Sequence, residues 1–279
     1  MEKSRQYSFI NNKHGFTVSF IYGQQVMEEL SLIHNIGEFA HEFYKKTLLS
    51  SLQMINFLKA GESLGFYIDS EEPYYRFKIE LSHSGLFRTL LLPEDFDDFP
   101  TELNGKCRTH KFMPNNEPYT SLLAFEKHPL EEFINEVIEK SYQSKSKVIV
   151  AAKDSNNSIM ITKLPPSNVD FKIDDFEDMN LEEIITDFAP IIAKANQMII
   201  GSTQSIIQYF EENDFRYLGS KEVSFHCPCS KERMIENLFT LQSIDRDSLF
   251  EDDSSIEIRC DYCNTIYTVL KTDLIKELQ

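Results

Sequence analysis

Apolar positions in the first part of the chain form short runs of strand character, interrupted by one long stretch at helical spacing. Phe16 to Tyr22 is an apolar, aromatic and β-branched run that predicts a buried strand. Phe39, Phe43, Thr47, Leu48, Leu52, Ile55 and Leu58 follow near helical spacing, and Gly61 stands where that helix should end. Five β-like segments come next: Leu64 to Asp69, Tyr75 to Leu81, Leu86 to Leu92, Lys106 to Phe112 and Tyr119 to Phe125. Ser84-Gly85, Asn104-Gly105 and Pro114-Asn115-Asn116 read as the turns among them, so the pattern predicts a meandering sheet. Pro129 suits the first turn of a helix running to Tyr142, and strands Val148 to Ala152 and Ile159 to Leu164 flank the turn Asp154-Ser155-Asn156-Asn157. The first 166 residues thus read as one α+β domain closed by Pro165-Pro166, within a core spanning 1–172.

The pattern changes after the double proline. Residues 174–221 carry ten acidic side chains against three basic ones, yet their apolar positions are helical. Asn180 with Glu183 forms a capping box, and Leu181, Ile184, Ile185, Phe188, Ile192, Ala195 and Ile199 make one stripe that ends before Gly201. Pro190 predicts a kink within this helix, because proline removes a backbone donor. A second helix is expected from Ser202 to Phe210. Residues 173–221 are therefore an acidic helical linker, either a metastable bridge or a helical subdomain packed permanently on the core.

Charge narrows the choice of partners. The chain has 279 residues, 41 % of them hydrophobic, and a formal charge of −17. Residues 223–279 alone hold eleven acidic against six basic side chains, which disfavours nucleic acid as a partner. Met1 to Ser8 shows no apolar leader, and no apolar run approaches the roughly 20 residues that cross a bilayer, so a soluble cytoplasmic protein without a membrane partner is expected.

The candidate chemistry lies in residues 222–279. Cys227 and Cys229 form a C-x-C pair and Cys260 and Cys263 a C-x2-C pair, together the four thiolates of a closed tetrahedral zinc site. Four sulfurs leave no open position for a water nucleophile, so this metal would be structural or switching rather than hydrolytic. The unit is too small for a strong apolar core of its own, and losing the metal should unfold it. Thiolates at an accessible site are also what oxidants attack, so the cluster is either a structural knot or a redox fuse. His226 is not needed as a ligand beside four cysteines, and Cys107 reads as a packed strand residue. No phosphate loop, nucleophile elbow, HExxH or paired-carboxylate motif occurs in convincing context, so no enzymatic activity is expected.

The segments Phe225-His226-Cys227-Pro228-Cys229-Ser230-Lys231-Glu232-Arg233 and Ile256-Glu257-Ile258-Arg259-Cys260-Asp261-Tyr262-Cys263-Asn264, followed by Tyr267, resemble the heat shock protein 33 family of redox-regulated bacterial chaperones. Phe215-Arg216-Tyr217-Leu218 resembles that family's approach to its zinc domain, whereas Arg88-Thr89-Leu90 stands where the family has Arg-Gly-Tyr. The resemblance implies an ATP-independent holdase, inactive while one zinc ion sits on Cys227, Cys229, Cys260 and Cys263. It further implies that oxidation forms Cys227–Cys229 and Cys260–Cys263 disulfides, ejects zinc, unfolds the linker and favours a homodimer that captures unfolding client proteins. With that mechanism, Ile184, Ile185, Phe188, Ile192 and Ile199 become the candidate client surface. The competing readings are a binding or scaffold protein with a purely structural zinc site, and a thiol-disulfide oxidoreductase, which the lack of a βαβ context around Cys260 and Cys263 disfavours.

Overall fold

The computed structural model describes residues 2–95, 102–151, 155–165, 177–199, 202–241, 248–250 and 254–276. The chain divides into two compact units, Met1–Phe225 and His226–Gln279. Its class is α+β, as the sequence predicts. Among the described residues no helix is long and apolar enough to cross a membrane.

The first unit holds two sheets. One comprises β1 (Arg5–Asn11), β2 (Phe16–Tyr22), β8 (Ser146–Val150), β9 (Asn157–Lys163) and β10 (Arg216–Glu222), in the order β10-β1-β2-β9-β8. The other comprises β3 (Ser63–Glu71), β4 (Tyr74–Ser82), β5 (Leu86–Leu92), β6 (Glu102–Phe112), β7 (Tyr119–Pro129) and β11 (Ser224–Phe225), in the order β11-β5-β4-β3-β6-β7. Helices α1 (Gln24–Ile33), α2 (Glu38–Leu52) and α3 (Leu130–Tyr142) share an apolar core with the six-stranded sheet. Ile21, Val148 and Met160 join that core from the five-stranded sheet.

The opposite face of the five-stranded sheet carries α4 (Leu181–Asp187), α5 (Ala189–Asn196) and α6 (Thr203–Glu211). Phe16, Val18 and Phe20 pack under these helices while Ile21 faces the other core, so β2 is buried on both sides. That double burial is why it reads as a continuous apolar run rather than an alternation. Phe210 stacks on Phe9 at 4.2 Å between ring centroids, and the fully buried Asn157 amide donates to the carbonyls of Asn196 at 3.0 Å and Met198 at 2.9 Å. The sheet thereby satisfies carbonyls that the end of α5 leaves without helical partners.

Several expectations need correction. The β3-β4-β5 part is a meander, but β6 returns to pair with β3, because the outer edge of β5 is taken by β11 in parallel. Gly105 is not a turn residue: it follows a register shift in β6. A Cβ there would lie 2.1 Å from the Asp69 carbonyl oxygen, so the glycine permits a close backbone approach at a bulge. The helical run starting at Phe39 becomes α2 only as far as Leu52, continues as a 3-10 helix over Gln53–Phe57, and has ended before Gly61. Helix α1 and strand β1 carried no recognised sequence signal. In place of one helix kinked at Pro190, the structure has two that meet at Phe188. Pro190 then lies in the first turn of α5, where its missing N–H costs nothing. Asn180 and Glu183 do form the expected capping box, with bonds of 3.0 and 2.8 Å. Ala152, Asp154, Pro166 and Gly201 lie outside the described residues.

In the second unit, β12 (Ser255–Arg259) and β13 (Ile266–Leu270) form a hairpin accompanied by α7 (Lys231–Phe239) and α8 (Asp273–Lys276). Its apolar cluster is small: the buried members described are Ile235, Leu238, Phe250, Val269 and Leu274.

Truncating Phe210, which is 1 % exposed, should cost the first unit about 3–5 kcal/mol. Ile199→Ala, at a side chain 87 % exposed, should change stability by less than about 0.5 kcal/mol. Urea unfolding of Phe210→Ala and Ile199→Ala, compared with the parent protein, checks this ordering.

Candidate metal centre

Both cysteine pairs lie in segments between the regular elements of the second unit. Cys227 and Cys229 flank Pro228 in the stretch leading into α7, where Ser230 caps the helix by accepting from Arg233 N at 3.3 Å. The Arg233 guanidinium also donates to the Pro228 carbonyl at 2.8 Å, fastening this stretch to the helix. Cys260 and Cys263 occupy the turn between β12 and β13. There Asn264 N donates to the Cys260 carbonyl at 2.8 Å and Cys260 N to the Thr265 carbonyl at 2.9 Å. Asn264 has φ of 56°, a left-handed conformation that asparagine tolerates.

These two segments bring all four predicted cysteines together, every Sγ lying within 4.8 Å of the others. The shortest separations run between the motifs: Cys227 to Cys260 is 3.7 Å and Cys229 to Cys263 is 3.3 Å. Metal–sulfur bonds of ~2.3 Å in a tetrahedron require sulfurs ~3.8 Å apart. The donor set therefore fits a four-coordinate cation that prefers sulfur. His226 is not among the clustered donors, and Cys107 is buried in β6, as the sequence predicts.

Electrostatics favours the same conclusion. Burial pushes the Cys227 thiol up, and burial likewise raises Cys260. For Cys263 burial also acts upward, but its interactions with the Thr265 side chain and backbone N–H and with the neighbouring Cys229 and Cys260 outweigh it and bring the thiol down to about 7. Four negative sulfurs in this space need a positive charge among them. Two hydroxyls adjoin the cluster: Thr265 Oγ1 lies 3.2 Å from Cys263 Sγ and Tyr267 Oη 3.1 Å from Cys229 Sγ. Tyr267 belongs to the sequence resemblance, whereas nothing in the spacing announces Thr265, whose position depends on the tight turn.

The five apolar linker positions are not equivalent. Ile184 and Ile192 are buried under the first unit's five-stranded sheet, and Ile185 and Phe188 are partly buried in the same cluster. The Phe188 ring meets Phe16 edge-on at 4.9 Å and Phe215 at 5.8 Å. Ile199 stands exposed.

Comparison with known proteins gives a consistent picture. The family model described as Hsp33 protein matches residues 4–269. The 33 kDa chaperonin of Shewanella loihica is 26 % identical over 163 residues, covering 58 % of this chain and 54 % of that protein. The chain thus spans about half the length of that relative. The 33 kDa chaperonin of Aquifex aeolicus is 20 % identical over 280 aligned residues, covering 92 % and 84 %. A crystal structure of the 33 kDa chaperonin from Thermotoga maritima superposes with a TM-score of 0.75 at 16 % identity, covering 99 % of this chain and 98 % of that one.

Because burial holds Cys227 and Cys260 as thiols, a cation must displace their protons to bind. Affinity for zinc, used as the probe, should therefore rise with pH and fall on acidification, by at least about tenfold per unit below neutrality, the slope for one released proton. A chelator-competition titration between pH 8 and pH 6 checks both the sign and the slope.

Proposed function

Since this chain belongs to the Hsp33 family, whose members are chaperones and not enzymes, we propose that it is a redox-regulated, ATP-independent holdase of the cytoplasm. The observation that carries this reading is the cluster of four sulfurs in a unit with a small apolar core. Bound zinc would hold Cys227, Cys229, Cys260 and Cys263 as thiolates and supply binding energy that this core lacks. In that reduced state the second unit stays folded and the helices α4 to α6 stay on their sheet.

An oxidant such as hypochlorite removes two electrons from each thiolate pair. The proposed products are the disulfides Cys227–Cys229 and Cys260–Cys263, which carry no charge and have no further use for a cation. The second unit then loses what held it together, and the chain from His226 back through β10 and α6 is freed of that constraint. Release of α4 and α5 would expose Ile184, Ile185, Phe188 and Ile192 beside the already exposed Ile199, giving apolar surface for unfolding client proteins. The acidic side chains Glu182, Glu183 and Asp187 on the same segment would keep such complexes dispersed. Homodimerisation of the oxidised form would add avidity. Neither nucleic acid nor a membrane is part of this reading.

The decisive experiment follows zinc release from the reduced protein during hypochlorite treatment while the same samples are assayed for suppressing aggregation of a thermally unfolded client. Coupled zinc loss and client protection, both reversed by reductant and zinc, are expected. Zinc retention, or release without protection, would instead make the cluster a structural knot in a scaffold protein. Ile185→Ser combined with Phe188→Ser should weaken client retention by the oxidised form, and unchanged suppression of aggregation would remove the linker from the client surface.

A further inference from the structure

Tyr267 lies on β13 opposite Ile258, and its hydroxyl has two acceptors within reach on one residue: Cys229 Sγ at 3.1 Å and the Cys229 carbonyl oxygen at 3.2 Å. A phenol has one proton to give, so the two acceptors compete. A thiolate sulfur accepts a charge-assisted bond that is stronger than a neutral one. A disulfide sulfur carries no charge and is a weak acceptor, which leaves the carbonyl as the better partner. Rotation about the C–O bond moves the proton from one acceptor to the other. In the reduced form, pairing with Ile258 holds the ring where both acceptors are within reach.

We infer that Tyr267 is a positioning residue whose hydroxyl holds Cys229 Sγ in place for the metal, tightening metal binding and shielding that sulfur from oxidant. This role rests on the zinc and thiolate reading above. Its physical basis is that a hydroxyl bonded to a ligand sulfur orients that sulfur toward the metal and is weakened once the sulfur enters a disulfide, so its free energy sits on the reduced, metal-bound side. The bond also occupies electron density through which the sulfur would attack an oxidant, lowering its reactivity. Cys227 and Cys260 lie 3.7 Å from each other.

Tyr267→Phe removes the hydroxyl and keeps the ring, so it isolates this bond from packing. The full-length variant, loaded with zinc, should still bind one ion but with about 10- to 100-fold lower affinity by chelator competition, the range seen when groups behind metal ligands are removed. During stepwise hypochlorite addition it should release zinc at a lower dose. Mass-spectrometric mapping of the cysteines should show Cys229 modified earlier relative to the other three. Affinity and release dose equal to those of the parent would overturn the role. So would a uniform acceleration of all four cysteines, because that is what mere loosening of the hairpin produces. If the parent protein binds no zinc at all, the zinc reading itself fails and this role fails with it, an outcome distinct from a variant that simply behaves like its parent.

Discussion

Repulsion among four sulfurs confined within 4.8 Å of one another is the constraint to which the second unit answers. Like charges at such separations in a partly buried site are costly, and burial alone pushes two of the thiols toward the neutral form. There are two ways to remove the cost. A cation at the centre compensates the charges and joins the β12–β13 turn to the stretch before α7. In the reading proposed above, oxidation would erase the charges pairwise and make the cation superfluous. The two solutions use the same atoms but need different backbone arrangements, since the short sulfur contacts here run between the motifs at 3.7 and 3.3 Å. Two incompatible ways of satisfying one constraint would give the proposed switch its physical basis.

The consequences of that constraint depend on how little else stabilises the unit. Ile235, Leu238, Phe250, Val269 and Leu274 form its described core, and Ser230 and Arg233 tie the first cysteine pair to one short helix. The first unit has two separate apolar clusters, one on each side of the five-stranded sheet, and needs no metal to account for its fold.

Helices α4, α5 and α6 occupy an intermediate position. They contain seven, eight and nine residues, below the ~12–15 at which isolated helices persist in water, so their helicity depends on packing against Phe9, Phe16 and Phe20. The capping box at Asn180 and the first-turn Pro190 make the helices easy to form once docked. In the proposed undocked state, the acidic side chains of α4 would help keep the segment in solution. The two readings of this segment left open by its sequence, bridge and packed subdomain, are thus compatible as states of one element.

The sequence by itself determined the α+β class, the capping box, most strands of the six-stranded sheet and the four sulfurs that converge, because each is written in local spacing: period two for strands, the Asn180 to Glu183 interval, C-x-C and C-x2-C. It was silent on β1, where only Tyr7 and Phe9 alternate with polar residues, one of which, Gln6, is buried through a bond to Ser19. It misplaced β6 beside β5 and Gly105 in a turn, since strand order and bulges are set by which edges remain free and not by the residues between them. Only the tertiary structure decided that β10 closes the first sheet against β1, that Pro190 begins a helix and does not kink one, and that the Tyr267 and Thr265 hydroxyls stand beside particular sulfurs. Those outcomes depend on contacts between positions far apart in the chain or on the exact path of a turn, and local composition carries no record of either.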